Sequence, residues 1–276
     1  MTSARAVARV KRLLPKGTKI GHTGTLDPLA SGLLVLLLGR ATRLSRYVTG
    51  LDKSYAATAA LGAVSDTLDA EGSITPLPDA PIPTEDELRA ATRSFTGDLL
   101  QVPPMASAVK VGGERLYKAH RRGEKVEREA RLVTVHALDL LSYDEGQATA
   151  TFHIRCGSGT YARSLISDLA TSLGTGAYLT ALRRTEVGHL SVEGAPVPET
   201  LAPDPLHNHI IHLRDVVGHL SGVEVSAEKR FAVCNGQKMA AFGVDGHYRV
   251  ECGDEFLAVY RDDGEISRAE VVLCAG

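Results

Sequence analysis

The residues best placed to do chemistry in this chain surround a single acid. Gly21 to Gly32 read GHTGTLDPLASG, so Asp27 sits between turn-forming residues with Pro28 directly after it. His22 lies five residues before it, the apolar run Leu33 to Leu38 follows, and Arg40 to Leu44 and Tyr55 come at close range. An isolated Asp-Pro is ordinarily a turn initiator. A carboxylate confined by so many backbone-restricting residues points instead to a positioned nucleophile. The elements around it must supply a countercharge and a wall.

Composition bounds what those elements can be. With 276 residues, 43% of them hydrophobic, the chain can bury a sizeable core and has room for one large domain plus a small one. Charged residues at 23% place it among ordinary globular chains and not disordered ones. Leu33 to Leu38 is too short to span a bilayer, and the N-terminus lacks the apolar segment of a signal peptide, so the expected location is the cytoplasm, with no membrane partner. Cys156, Cys234, Cys252 and Cys274 are scattered without a CxxC pair and read as reduced thiols, neither disulfide staples nor zinc ligands. His207, His209 and His212 (HNHIIH) lack companion ligands at metal spacing, so they read as a His-rich loop, and no metal is expected.

A net charge of −2 argues against a generally basic nucleic-acid binder, but the distribution is uneven. Lys110 to Arg131 carries eight Lys/Arg against four acids. Arg40, Arg43, Arg46 and Lys53 form a second cluster directly after the Asp27 loop. Each alone reads as a solvated face. Two such clusters flanking a rigid acid loop favour contact with a phosphate backbone.

The pattern of the chain predicts an α+β protein. Thr2 or Ser3 caps a first helix with Val7, Val10 and Leu14 toward a core, ended by Lys16-Gly17. Tyr55, Ala57, Ala59 and Leu61 alternate as one face of a strand stopping near Gly62. Pro76 to Pro83 is a connector, and Thr84 to Glu87 is a capping box opening a helix with Leu88, Ala91 and Phe95 on one side. Gln147 to Cys156 reads as a strand with Ala148, Ala150, Phe152 and Ile154 on its covered face. Gly157 to Thr160 (GSGT) is a strand-to-helix turn, since it lacks the Lys and spacing of a phosphate loop. The helix after it spaces Leu165, Leu169 and Leu173 by four and closes at Gly174. Beyond Leu213 come a short helix, Ser226 to Cys234, and short strands split by Asp245-Gly246, Gly253-Asp254 and Asp263-Gly264.

Four segments stand together in order: GHTGTLDPLASG, KSYAATAALGAVSDTLDAEG (Lys53 to Gly72), QVPPMASAVKVGGERLY (Gln101 to Tyr117) and RCGSGTYARSLISDLATSLG (Arg155 to Gly174), followed by ALRRTEVG (Ala181 to Gly188). With these the chain resembles the TruB family of tRNA pseudouridine synthases from residue 2 to about 190. The resemblance implies a pseudouridine synthase fold, with a central mixed, mainly antiparallel sheet flanked by helices. It implies a catalytic domain over 1–212, an RNA-contacting insertion at about 100–131, and a small β-rich, PUA-like RNA-binding domain over 213–276. The implied reaction isomerises a T-loop uridine of tRNA (uridine-55) to pseudouridine. The N1–C1′ bond breaks, the base rotates and a C5–C1′ bond forms, with no cofactor required.

By the same resemblance Asp27 is the nucleophile and Arg163 pairs with it, keeping it ionised. Tyr55 stacks on the target base and assists proton removal from C5. Tyr161 and Leu182 line the pocket, and His22 fills the space left by a flipped-out base. Arg43 stands where the family carries Lys and contacts phosphate. The implied partner is the T-arm of tRNA, bound by a monomer without guide RNA. Two departures accompany this. The family begins with a strand ending in Lys-Pro-x-Gly before Thr-Ser, whereas this sequence starts Met1-Thr2-Ser3, so either the start lies upstream or the sheet lacks that support. Ala106 replaces the usual Tyr of the Pro-Pro-x-Tyr-Ser-Ala segment. Two other readings stay open: a tRNA-binding or folding protein with impaired catalysis, and a guide-RNA-dependent H/ACA-type synthase.

Overall fold

The computed structural model describes residues 1–276 apart from 108, 125, 203–205 and 275–276. Helix α1 (Ser3–Arg12) is capped by Thr2, whose hydroxyl accepts from the Arg5 N–H. It ends earlier than its apolar spacing predicts. Pro15 disfavours helical backbone at the preceding residue, and the buried face is Ser3, Ala6 and Val10, not Val7 and Leu14. Strand β1 (Ile20–His22) then runs into the Asp27 loop, followed by β2 (Ser31–Gly32) and β3 (Leu36–Leu38), the last antiparallel to β1. A 3₁₀ turn over Gly39–Leu44 and helix α2 (Ser45–Thr49) lead to β4 (Lys53–Leu61).

The small hairpin β5 (Ala63–Ser65) and β6 (Ile74–Pro76) precedes α3 (Glu85–Ser94), whose predicted Thr84–Glu87 capping box is formed. Next come β7 (Gly97–Gln101), the two-stranded β8 (Lys110–Val111) and β9 (Glu114–Arg115), and α4 (Leu116–Arg121). The long pair β10 (Arg131–Asp144) and β11 (Thr149–Cys156) is followed by α5 (Ala162–Ser172), β12 (Ala177–Val187) and β13 (Leu190–Ser191). The central sheet runs β13-β12-β4-β11-β10-β7 with antiparallel neighbours, and β2 joins β12 in parallel. It is therefore mixed and mainly antiparallel. The alternation predicted for β4 and β11 holds: Ala57, Ala59, Leu61, Ala150, Phe152 and Ile154 are buried. They pack against Leu88 of α3 and Leu165 and Leu169 of α5, so one face of the sheet is covered.

Helices α6 (Leu213–Val216) and α7 (Ala227–Cys234) accompany a second, five-stranded sheet that begins with β14 (Ser221–Glu224). Its other members are β15 (Met239–Ala240), β16 (His247–Cys252), β17 (Glu255–Asp263) and β18 (Ile266–Val272), in the order β14-β16-β17-β18-β15. The Gly253-Asp254 and Asp263-Gly264 turns fall between its strands as predicted. This sheet packs through Phe256, Val259 and Val271 against Leu44 and Tyr47 of the 39–49 segment.

That contact corrects the reading of the second basic cluster. Arg40 donates to the Leu273 carbonyl and Arg43 to the Val272 carbonyl. Arg46 pairs with Glu270 at 2.6 Å, and Lys53 Nζ donates to the carbonyls of Thr49 and Leu51. As a group these cations serve the fold, Arg40, Arg43 and Arg46 at β18 and its exit and Lys53 at the turn before β4, although the exposed Arg43 commits only one of its N–H donors among the described residues.

The cysteine reading is corrected too. Cys234 and Cys274, 40 residues apart, are joined by a disulfide with Cα atoms 5.4 Å apart; Cys156 and Cys252 are free. Spacing along the chain hid the pair, since only the second sheet brings the end of α7 to the exit of β18. Two titratable thiols are expected in the unfolded, unreduced protein. Reduction should cost about 2–4 kcal/mol of stability, read by urea unfolding with and without reductant. No described helix is long and apolar enough to cross a membrane.

Candidate active site

Asp27 is set by a turn and by α1. The Ala30 N–H donates to the Asp27 carbonyl at 2.9 Å, with Pro28 presetting the first turn residue. Ser3, buried at the start of α1, accepts the Leu26 N–H at 2.9 Å and donates to the Leu26 carbonyl. The residue before the acid is thus pinned on both main-chain groups. The Asp27 side chain remains about a third exposed (34%), enough for a substrate to reach it.

Arg163 enters from the first turn of α5 and is 3% exposed. Its Nη2 lies 2.9 Å from Asp27 Oδ2, and its Nη1 lies 3.3 Å from Asp69 Oδ2. Nη1 also donates to the Thr67 carbonyl at 2.7 Å, and Nη2 to the Ala106 carbonyl at 2.9 Å. The Ala106 contact is main-chain, so the change from Tyr leaves it in place. The guanidinium is locked by three segments and aimed at the acid. The helix start is itself fixed, because buried Gln101 pairs both ways with the Tyr161 backbone, at 2.7 and 3.1 Å.

Asp69 was not singled out from sequence, although Thr67-Leu68-Asp69 repeats the Thr25-Leu26-Asp27 triplet inside one of the four segments. It is buried, accepts from Thr67 Oγ1 and the Glu71 N–H, and follows Leu68, a non-glycine residue in left-handed backbone (φ 62°). Such a conformation is unfavourable unless its surroundings impose it. Here the Leu179 N–H donates to the Leu68 carbonyl, and the Ala70 N–H to the Leu179 carbonyl, tying the loop to β12.

The electrostatic balance at Asp27 differs from the simple expectation that Arg163 keeps it ionised. Burial raises its pKa; Arg163 opposes this, Asp69 adds to the rise, and the net shift is upward. One guanidinium is serving two carboxylates. Tyr55 on β4 is pushed up to about 12, mainly by burial, and Tyr161 is raised by burial as well. Both phenols feel the Asp27 charge: Tyr161 caps the helix that carries Arg163, and Tyr55 borders the same core as Leu29 and Ala30 of the Asp27 loop.

The remaining candidates lie elsewhere or in supporting roles. His22 is half-buried at the end of β1, opposite Leu36, and its Nδ1 has no hydrogen-bond partner among the described residues. Leu182 is on β12, paired with Ala57 and buried in the main core that Tyr55, Leu29 and Ala30 border. Arg43 reaches the Val272 carbonyl at the second sheet. In the insertion, Arg122 pairs with Glu114 and Glu124, and Arg121 lies over the Tyr117 ring; Lys125 falls outside the described residues. No group of three or more His, Cys, Asp or Glu fit to hold a metal occurs among the described residues.

Comparisons with known proteins point to one family. The family model described as TruB family pseudouridylate synthase (N terminal domain) matches residues 11–162. A protein named tRNA pseudouridine synthase B from Aromatoleum aromaticum is 41% identical over 269 residues, covering 96% of this chain and 86% of that protein. One of the same name from Mycolicibacterium paratuberculosis is 38% identical over 276 residues, covering 99% and 94%. The crystal structure of the archaeal box H/ACA sRNP Nop10-Cbf5 complex superposes with a TM-score of 0.73 at 23% identity, over 100% of this chain and 83% of that one; this shows the fold alone. A pinned carboxylate sharing a buried guanidinium beside two phenols, on this sheet and with this match, makes the chain a member of the TruB family of pseudouridylate synthases.

Proposed function

We propose that the chain isomerises the T-loop uridine of tRNA to pseudouridine, with Asp27 as nucleophile. The observation that carries the roles is the Arg163–Asp27 pair at 2.9 Å, a buried guanidinium on a carboxylate that stays partly exposed. Asp27 attacks the bound nucleotide, and its ester-like adduct can leave again once the base has turned. Atoms are conserved: the N1–C1′ bond breaks, C5–C1′ forms, and the C5 proton is lost as N1 gains one. Arg163 holds Asp27 in one rotamer and stabilises its charge when substrate excludes water. Tyr55 supports the base, and its hydroxyl, which burial keeps protonated, assists loss of the C5 proton as a relay, releasing its own proton toward N1 as it takes the one from C5. Tyr161 and Leu182 form the wall.

The target base is unreachable within a folded T-loop and must be flipped, with His22 taking its place. Arg43, exposed at the Val272 carbonyl with most of its five N–H donors uncommitted, contacts phosphate. The basic insertion and the PUA-like module over 213–276 hold the RNA, and the enzyme acts as a cytoplasmic monomer without guide RNA. Identity supports the stand-alone reading, since relatives named tRNA pseudouridine synthase B reach 48%, against 22–23% for the H/ACA structures. Release of tritium from C5-labelled uridine in an unmodified tRNA transcript, with no other RNA present, is the expected result. Tight, salt-sensitive tRNA binding without release would instead identify a binding protein.

A further inference from the structure

Arg184 has no assigned part in the proposed reaction, yet it is among the largest fully buried side chains. Among the described residues it forms no ion pair, an unusual state for a buried cation. Its partners are carbonyls. Nε donates to the Leu33 carbonyl at 2.8 Å and Nη2 to the Gly24 carbonyl at 3.1 Å. Its own carbonyl accepts the Leu33 N–H at 2.8 Å. Gly24 and Leu33 are the two limbs of the loop that carries Asp27, so one guanidinium closes that loop from below.

The fit is tight. A Cβ at Gly32 would fall 2.1 Å from the Arg184 carbonyl oxygen, and one at Gly24 would meet Nη1 at 3.4 Å. Both glycines also have left-handed φ values, of 99° and 119°. On its other side, Arg184 is paired in register with Tyr55 of β4, and its charge acts to lower the Tyr55 pKa.

We propose that Arg184 is a positioning residue for pseudouridine formation, bridging both limbs of the Asp27 loop and lending its charge to Asp27 and Tyr55. This rests on the reading of Asp27 as nucleophile. Its buried charge has no dedicated counterion because the acid it serves must stay free to react. The groups that share its field are Asp27 on the loop and Tyr55 and Lys53 on β4; Asp27 in turn faces Arg163 of α5 and Asp69. Arg184 lowers the pKa of Asp27 and Tyr55, acting against burial at both.

Arg184→Gln and Arg184→Lys test this. Carbon-13 NMR of the labelled aspartate carboxyls, with Asp27 assigned by its loss in Asp27→Asn, follows the acid without needing activity. In Arg184→Gln the Asp27 titration should move to higher pH, and single-turnover pseudouridine formation should fall about 100-fold with KM near wild type. Arg184→Lys keeps the charge, but its single nitrogen cannot stand where both Nε and Nη2 donate, to the Leu33 and Gly24 carbonyls. Asp27 should then titrate near the wild-type position while the rate recovers only in part. An unmoved Asp27 titration in Arg184→Gln, or a rate loss that merely follows a lowered Tm, overturns the proposal. If Arg184→Gln does not fold, wild-type turnover in Arg184→Lys overturns it, and a slow rate at wild-type KM with Asp27 unmoved supports it. A wild-type protein that makes no pseudouridine would sink the functional reading, while the titration still decides the part played by Arg184.

Discussion

Asp27→Asn is expected to lower pseudouridine formation by at least about 10⁴-fold while tRNA binding persists, because the substitution removes the attacking atom and little volume. Single-turnover kinetics with a tRNA transcript, alongside a filter-binding isotherm, reads both. The same variant should be more heat-stable than wild type at neutral pH. Burial outweighs Arg163 and raises the Asp27 pKa above the ordinary carboxylate value. A group shifted this way adds stability below its unfolded-state pKa and loses that contribution as pH rises through its folded-state pKa. At neutral pH the ionised acid is therefore a liability of the folded state, as expected of a group kept for the proposed chemistry. The Tm advantage of Asp27→Asn should shrink as pH falls below the folded-state pKa, because wild-type Asp27 then carries its proton. A variant that kept full turnover would show that Asp27 is not the nucleophile.

Arg163→Met should do the opposite to stability. Arg163 and Asp69 are each 3% exposed, and removing the cation strands one fully buried carboxylate and a second partly buried one. It also leaves the carbonyls of Thr67 and Ala106 without a donor. Breaking a buried pair from one side costs about 3–5 kcal/mol, so the urea midpoint should fall clearly. Without the cation both acids favour their protonated forms, and the stability gap to wild type should narrow as pH is lowered. Turnover should fall by at least about 100-fold, with the acid limb of the pH–rate profile displaced upward. Arg163→Lys should recover part of the stability but little of the rate, since an ammonium cannot span partners on three segments. An unchanged urea midpoint in Arg163→Met would mean that the loops around Asp69 stand without it.

Much of this was legible in the residues themselves. The Thr84 capping box, the alternation of β4 and β11, the four-residue leucine spacing of α5 and the Asp-Gly turns are all local, and each formed where its pattern placed it. The Asp27 loop was legible as a rigid frame, and the ordered segments pointed to Arg163, Tyr55 and Tyr161 as its companions. The helix α1 was only half legible. Its apolar spacing named Val7 and Leu14, but the face it buries is set by Ser3, which bonds Leu26 in the loop rather than packing in a core.

The sequence by itself determined the chemistry on offer, one confined acid with an arginine and two tyrosines, and the periods of the elements that carry them. The tertiary structure alone decided how those charges are shared. Sheet register set Arg184 beneath a loop some 160 residues away in the chain, joining it to Gly24. The β5–β6 excursion brought Asp69 to the other end of Arg163, which leaves Asp27 less firmly ionised than a simple pair would. The packing of the second sheet turned Arg40 and Arg46 to its last strand and joined Cys234 to Cys274. Hydrophobic period and turn chemistry act over a few residues and can be read along the chain. Burial and Coulomb interactions depend on distance in space, which only the folded sheet assigns.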